Sequence, residues 1–276
     1  MAVPHGVIGA VHLRPMPGDP RYAGGGFDAV ERAALADAEA LVDGGVDGLI
    51  VENFGSAPYP RGDARQRTAP EQVAAMAIVV RELVRRFAVP VGVNCLRNDV
   101  MSALGVAAAA GAAFVRSNLH VGVYLTDQGL LEGEAFDTLR YRRAIGAEGV
   151  AILADVLVKH GAPLVPTTPA AATEECFSRG LADAVVVSGV ATGAAVDPDV
   201  LSEARRAAGA RPVFIGSGFR PETVAPLASM ANGAIVGTWL KCDGEVDRPV
   251  DPARVRALSA RARGRFFPSG SVPDVP

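Results

Sequence analysis

The chain has 276 residues, 49% hydrophobic and 21% charged, with a formal net charge of -3. That balance supplies a large buried core and excludes a disordered or membrane-embedded class. Interspersed charge signs and an aromatic content of 5% exclude a nucleic-acid-binding surface, which needs a basic stripe or a stacking platform.

Cys95, Cys176 and Cys242 lie far apart with no C-x-x-C spacing. A disulfide framework or zinc site is therefore not expected, and a reducing, cytoplasmic compartment is. The N-terminus runs almost at once into an apolar strand with no basic segment before it, so no signal peptide is expected. The most apolar stretch, Ala103–Val115, is broken by glycine and too short to span a bilayer.

In chain order, eight short Val/Ile-rich runs read as strands: Val7–His12, Gly48–Asn53, Val89–Asn94, Phe114–Asn118, Val150–Val156, Ala184–Ser188, Val213–Gly216 and Ala234–Gly237. Their near-continuous apolar character suits parallel strands buried on both faces. Helical patterns alternate with them at Asp28–Asp43, Pro70–Phe87, Asn98–Ala110, Glu134–Ile145, Pro169–Arg179, Pro198–Ala208, Pro221–Met230 and Pro252–Arg265. Several open on proline, whose fixed φ suits a first helical turn. Between the fourth and fifth strands the rhythm breaks, and Asp127–Gly129 reads as a hairpin tip in a longer connection. Gly24–Gly26 reads as a flexible loop. This pattern predicts an α/β fold, a (β/α)8 TIM barrel over residues 1–267, with a frayed tail over 268–276. An open doubly wound sheet is the alternative.

In such a barrel the active site lies at the C-terminal ends of the strands. Polar residues converge there: His12, Glu52 with Asn53, Asn94, Arg116 with Asn118, Asp155, and Ser188. The last two strands end in Gly216-Ser217-Gly218 and Gly237-Thr238. Bare backbone amides at these two ends suit a phosphate, and Lys241 is placed to reach it. Glu52 and Asp155 are candidate proton carriers, with an ion pair to Arg116 or Lys159 as the structural alternative. Lys159 either binds an anionic substrate or, deprotonated, forms a Schiff base. The asparagines suit sugar hydroxyls. His12, His120 and His160 with the carboxylates are compatible with a divalent metal, although no H-x-H or H-E-x-x-H spacing is present; no other cofactor is expected. There is no Ser/His/Asp elbow, no Walker lysine, and no G-x-G-x-x-G after the first strand.

Several separated segments together resemble the BtpA family. They are Ile8-Gly-Ala-Val-His-Leu-Arg-Pro-Met-Pro-Gly18, Gly44-Gly-Val-Asp-Gly-Leu-Ile-Val-Glu-Asn-Phe-Gly55, Val115-Arg-Ser-Asn118, Ala154-Asp155 with Lys159-His160, Asp183-Ala-Val-Val-Val-Ser-Gly-Val-Ala-Thr-Gly193, Gly216-Ser-Gly218 and Ile235-Val-Gly-Thr-Trp-Leu-Lys241. The resemblance implies a barrel of the ribulose-phosphate-binding type. It also implies two lines of function: a cyanobacterial role in building photosystem I at a membrane surface, and membership of sugar-utilisation gene sets. It brings no catalytic mechanism, so the matching residues enter as site residues without roles.

The expectation is an enzyme acting on a phosphorylated sugar or nucleoside-like compound, by lyase, isomerase or glycosidic-bond chemistry. Bond chemistry next to a carbonyl is favoured. The alternative is a non-catalytic factor for photosystem I or another membrane complex, and membrane association belongs to that alternative alone. A homo-oligomer is expected from fold class only.

Overall fold

In the computed structural model, which describes residues 3–268 and 270, alternating strands and helices wind into a closed barrel. The strands are β1 (Gly6–His12), β2 (Gly48–Glu52), β3 (Val91–Asn94), β4 (Phe114–Ser117), β5 (Val123–Thr126), β6 (Gly129–Glu132), β7 (Ala151–Val156), β8 (Gly161–Pro163), β9 (Ala184–Val187), β10 (Val213–Ile215) and β11 (Gly233–Val236). The helices are α1 (Gly26–Asp43), α2 (Pro70–Arg86), α3 (Val100–Ala110), α4 (Ala135–Ala144), α5 (Pro169–Ser178), α6 (Pro198–Ala208), α7 (Pro221–Leu227) and α8 (Pro252–Ala262). The barrel order is β1-β11-β10-β9-β7-β4-β3-β2, with every neighbouring pair parallel. The fold is thus the (β/α)8 barrel. β5, β6 and β8 form a small antiparallel sheet from the connections that follow β4 and β7. The expected tail over 268–276 falls largely outside the described residues.

Strand alternation sorts the apolar residues into two cores. Outward-facing Val7, Val11, Val51, Val93, Val115 and Ile152 pack under helix residues such as Leu41, Met76, Val79 and Leu104. Inward-facing Ile8, Ile50, Phe114, Leu153, Val186, Phe214 and Ile235 fill the barrel. Gly92 makes room for this filling, since a Cβ there would lie 2.1 Å from the Phe114 ring. Further along the strands the same alternation turns His12, Glu52, Asn94 and Arg116 to the mouth, with Asp155 on the same inward face beneath Arg116. The register sets His12 opposite Glu52, and Glu52 opposite Asn94.

Helix starts follow local chemistry. Proline stands in the first turn of α2, α5, α6, α7 and α8. Side chains of Asp99, Thr168, Asp197 and Asp251 accept first-turn amides of α3, α5, α6 and α8. α1 begins two residues before its expected start, with Gly25 at φ 91° as its N-cap. The last expected helix turn at 228–230 is instead 3₁₀. α7 itself runs past Pro226 to Leu227, and the Ala228 amide still bonds the Val224 carbonyl. The hairpin around Asp127–Gly129 is present, and β8 adds a third strand that the sequence reading did not expect.

Candidate active site at the barrel mouth

A cavity of about 460 Å³ opens at the C-terminal ends of the barrel strands. Of the expected residues it is lined by His12, Glu52, Asn94, Arg116, Asn118, Lys159, Gly216, Ser217, Gly218, Gly237 and Thr238. Asp155, Asn53, Ser188 and Lys241 stand outside the lining, each for a visible reason.

Asp155 is clamped from both sides. Arg116 donates from Nε to Oδ1 at 2.8 Å and from Nη2 to Oδ2 at 2.9 Å, and Asn118 Nδ2 donates to Oδ2 at 3.1 Å. Its side chain is 1% exposed. A carboxylate so engaged orients a guanidinium; its geometry is that of a positioning residue and not of a proton carrier facing a ligand. Asn53 is fully buried and bonds Leu96 twice, accepting from its amide at 2.7 Å and donating to its carbonyl at 3.3 Å, which ties the β2 and β3 loops together. Ser188 Oγ lies behind Arg116, 3.5 Å from Nη2. Lys241 is buried and donates to Asp37 Oδ2 at 2.6 Å, lining a neighbouring pocket instead. That ion pair, 204 residues apart in sequence, left no local signal.

Glu52 is the carboxylate on the cavity wall. Asn94 Nδ2 donates to its Oε1 at 3.1 Å, with His12 Nε2 at 3.7 Å and Arg116 Nη1 at 3.6 Å. Burial, together with Lys241 and Lys159 and against the pull of Glu52, lowers His12 to about 4, so the imidazole is neutral near pH 7. The ring stacks on Phe54 with centroids 4.5 Å apart. Burial first, then the Arg116 charge, lowers Lys159 to about 8. For Arg116 burial opposes the charge, yet the Asp155 contacts outweigh it and raise the pKa.

The histidines do not converge. His120 Nε2 donates to Gly180 O at 2.8 Å, and His160 Nε2 lies 3.2 Å from Thr192 Oγ1. Among the described residues no three His, Cys, Asp or Glu side chains are grouped to hold a metal ion. The three cysteines are free thiols.

Tyr59, Arg97, Arg220 and Trp239 also line the cavity and were missed. They stand in the loops beyond the strand ends, three or more residues past the point where an apolar run stops marking position. Tyr59 donates to Phe54 O at 2.8 Å, and burial, reinforced by Glu52, raises its pKa. Arg97 donates to the Lys159 carbonyl.

The glycines after β10 and β11 have specific neighbours. A Cβ at Gly216 would lie 2.3 Å from Ser188 Oγ, and at Gly237 2.6 Å from the His12 ring. Gly218, at φ 65°, would meet the Ala195 backbone at 2.3 Å. Ser217 Oγ accepts from Gly189 N and donates to Ala194 O, so its hydroxyl is already engaged. Among the described residues the amides of Gly218 and Phe219 have no protein acceptor. The 3₁₀ turn Thr238–Leu240 starts without a side-chain cap.

The barrel is shared with solved structures at low identity. N-(5'-phosphoribosyl)anthranilate isomerase from Pyrococcus furiosus matches with a TM-score of 0.54 and 17% identity, covering 94% of this chain and 98% of that one. An archaeal fructose 1,6-bisphosphate aldolase matches with a TM-score of 0.56 and 17% identity, covering 94% of each. Sequence similarity reaches further. The Photosystem I biogenesis protein BtpA of Synechocystis sp. is 47% identical over 98% of this chain and 93% of its own length. The sgc region protein SgcQ of Escherichia coli is 32% identical over 90% of this chain and 91% of its own. The BtpA family model matches residues 4–264. With that match over nearly its whole length, the chain belongs to the BtpA family.

Proposed function

We propose that this protein is an enzyme acting on a phosphorylated sugar or nucleoside-like small molecule, bound in the barrel mouth with its phosphate at the loops after β10 and β11. One observation carries the reading: the cavity holds an excess of positive charge beside bare amides. Arg116 and Asp155 cancel each other, which leaves Glu52 against Arg97 and Lys159, with Arg220 at the rim 3.6 Å from Glu222. Unpaired amides at Gly218 and Phe219, and at the start of the 3₁₀ turn, offer a phosphate its hydrogen bonds. Asn94 and Asn118 each keep a buried amide oxygen without a partner, suited to substrate hydroxyls. Glu52 is the group placed to move protons, and His12 orients it. The low-identity barrel neighbours include enzymes named for phosphorylated compounds, which agrees with this ligand class.

Thermal shift against sugar phosphates, nucleoside monophosphates and inorganic phosphate, with and without Mg2+, tests the reading. A ligand at a hundredfold over its Kd adds about 2.7 kcal/mol. Arg220→Ala is the companion variant, since Arg220 is exposed at the rim and its removal spares the core. A shift in the wild type that shrinks in the variant is expected. A folded wild type that responds to no phosphate compound overturns the proposal.

The 47% identity to a protein named for photosystem I biogenesis favours a second reading, a non-catalytic assembly factor at a membrane complex. Among the described residues no helix is long and apolar enough to cross a membrane. Salt-dependent sedimentation with membranes, retained by a Lys159→Met variant, is the outcome that would move the assignment there.

A further inference from the structure

We infer that Lys159 is a nucleophilic amine that forms an imine with the carbonyl carbon of a phosphorylated ketone or aldehyde held in the barrel mouth. The inference rests on the reading of the mouth as a phosphorylated-ligand site and narrows its substrate to carbonyl compounds.

The first observation is one of residue choice. Of 27 basic residues in the chain, lysine stands only at positions 159 and 241; every other is arginine. Arginine holds anions better through its planar fork and does not release its proton, whereas lysine does. A chain that meets nearly all its needs for positive charge with arginine places an amine at the mouth of its barrel.

The two lysines are then used differently. Lys241 is committed to Asp37 at 2.6 Å. Lys159 forms no salt bridge among the described residues, and the one hydrogen bond of its side chain there, to Gly216 O, is 3.4 Å long. Its ammonium is therefore not held by a carboxylate that would keep it charged. Burial and the neighbouring Arg116 outweigh the opposing pull of Asp155 and Glu52 and lower it to about 8, within reach of neutral solution.

The backbone around Lys159 is fixed rather than loose. Leu157 and His160 both adopt φ 56°, an uncommon conformation for residues with a Cβ. Arg97 bonds the Lys159 carbonyl. Unfavourable backbone retained on both sides of one side chain is a mark of a position that must be aimed.

The step balances without an oxidant or reductant. The Lys159 nitrogen lone pair attacks the carbonyl carbon, and the carbonyl oxygen takes a proton to give a carbinolamine. That hydroxyl takes a second proton and leaves as water, while the nitrogen keeps one hydrogen and the positive charge as a protonated imine. Glu52, held by Asn94 at 3.1 Å, is the wall carboxylate that passes these protons. The protonated imine then accepts electrons from the adjacent C–H or C–C bond, which is the chemistry of isomerases and aldol lyases.

Borohydride trapping tests this directly. The full-length protein is incubated with dihydroxyacetone phosphate or ribose 5-phosphate, reduced with sodium borohydride, and read by intact mass and peptide mapping. Lys159, Lys241 and the N-terminal amine are the chain's only amines, so the site of any adduct is unambiguous. The expected result is one carbonyl-derived addition per chain at Lys159, suppressed by inorganic phosphate, increasing with pH through about 8, and absent from Lys159→Arg. Thermal shift with the same compounds separates the two readings. Binding without an adduct, or an adduct elsewhere, overturns the imine and leaves the phosphate site standing. No adduct with these compounds, and no thermal shift with any sugar phosphate, nucleoside monophosphate or inorganic phosphate, overturns both.

Discussion

The two sides of the barrel mouth are built on opposite principles. On the side of β2, β3, β4 and β7, side chains recognise one another: Arg116 grips Asp155, Asn118 bonds the same carboxylate, and Asn94 bonds Glu52. On the side of β10 and β11 the wall at the strand ends is built largely of backbone at Gly216, Gly218 and Gly237, with the side chains of Arg220 and Trp239 standing further out in the loops. The first side is held by the charges paired around Arg116 and Asp155, with Arg97 and Lys159 beside them in no ion pair among the described residues. The second is shaped by what it leaves out, since each glycine yields its space to a named neighbour: Ser188, the Ala194–Ala195 backbone, or the His12 ring. The cavity thus sets a charged wall against a wall of backbone.

Breaking the charged side has the largest effect. Arg116→Met strands Asp155 in the interior with Asn118 alone and costs roughly 3–5 kcal/mol in urea denaturation. A loss under about 1 kcal/mol would show that the pair is not structural. The next effect is on pH. His12 is lowered to about 4 from 6.5, so the unfolded chain binds the extra proton and stability falls as pH drops from 6.5 towards 4. The full span is about 3 kcal/mol, and His12→Asn flattens that limb of a plot of unfolding free energy against pH. On the bare side, Gly218→Ala forces a methyl against the Ala195 backbone and costs roughly 1–3 kcal/mol. An unchanged melting curve would show that the loop yields. The smallest stability effect belongs to Arg220→Ala, within about 0.5 kcal/mol, yet calorimetry should register weaker sugar-phosphate binding. That contrast between stability and affinity distinguishes rim from wall.

Much of this arrangement was legible in the sequence because strand alternation carries it. Once Ile8, Ile50 and Phe114 fill the barrel, period two puts His12, Glu52 and Arg116 at the mouth. What stayed hidden depends on pairing across the fold. Asp155 reads as a free carboxylate until Arg116 is seen to enclose it, and Lys241 reads as a phosphate ligand until Asp37 is found beside it. Tyr59 and Arg97 lie in loops where no periodicity marks direction. The glycines of the last two strand ends do line the cavity, and close packing against Ser188, the Ala194–Ala195 backbone and the His12 ring accounts for the missing Cβ at each.

The small sheet has a consequence for motion. β8, which begins two residues after Lys159, pairs with β5. Arg61 bonds the carbonyls of Gln128 and Leu130 in the hairpin, and Glu134 accepts from Ala64 N and Arg67. Three connections, those after β2, β4 and β7, are therefore fastened into one cooperative unit. A fluctuation that opens this flank is therefore expected to move the segment bearing Lys159 together with the hairpin.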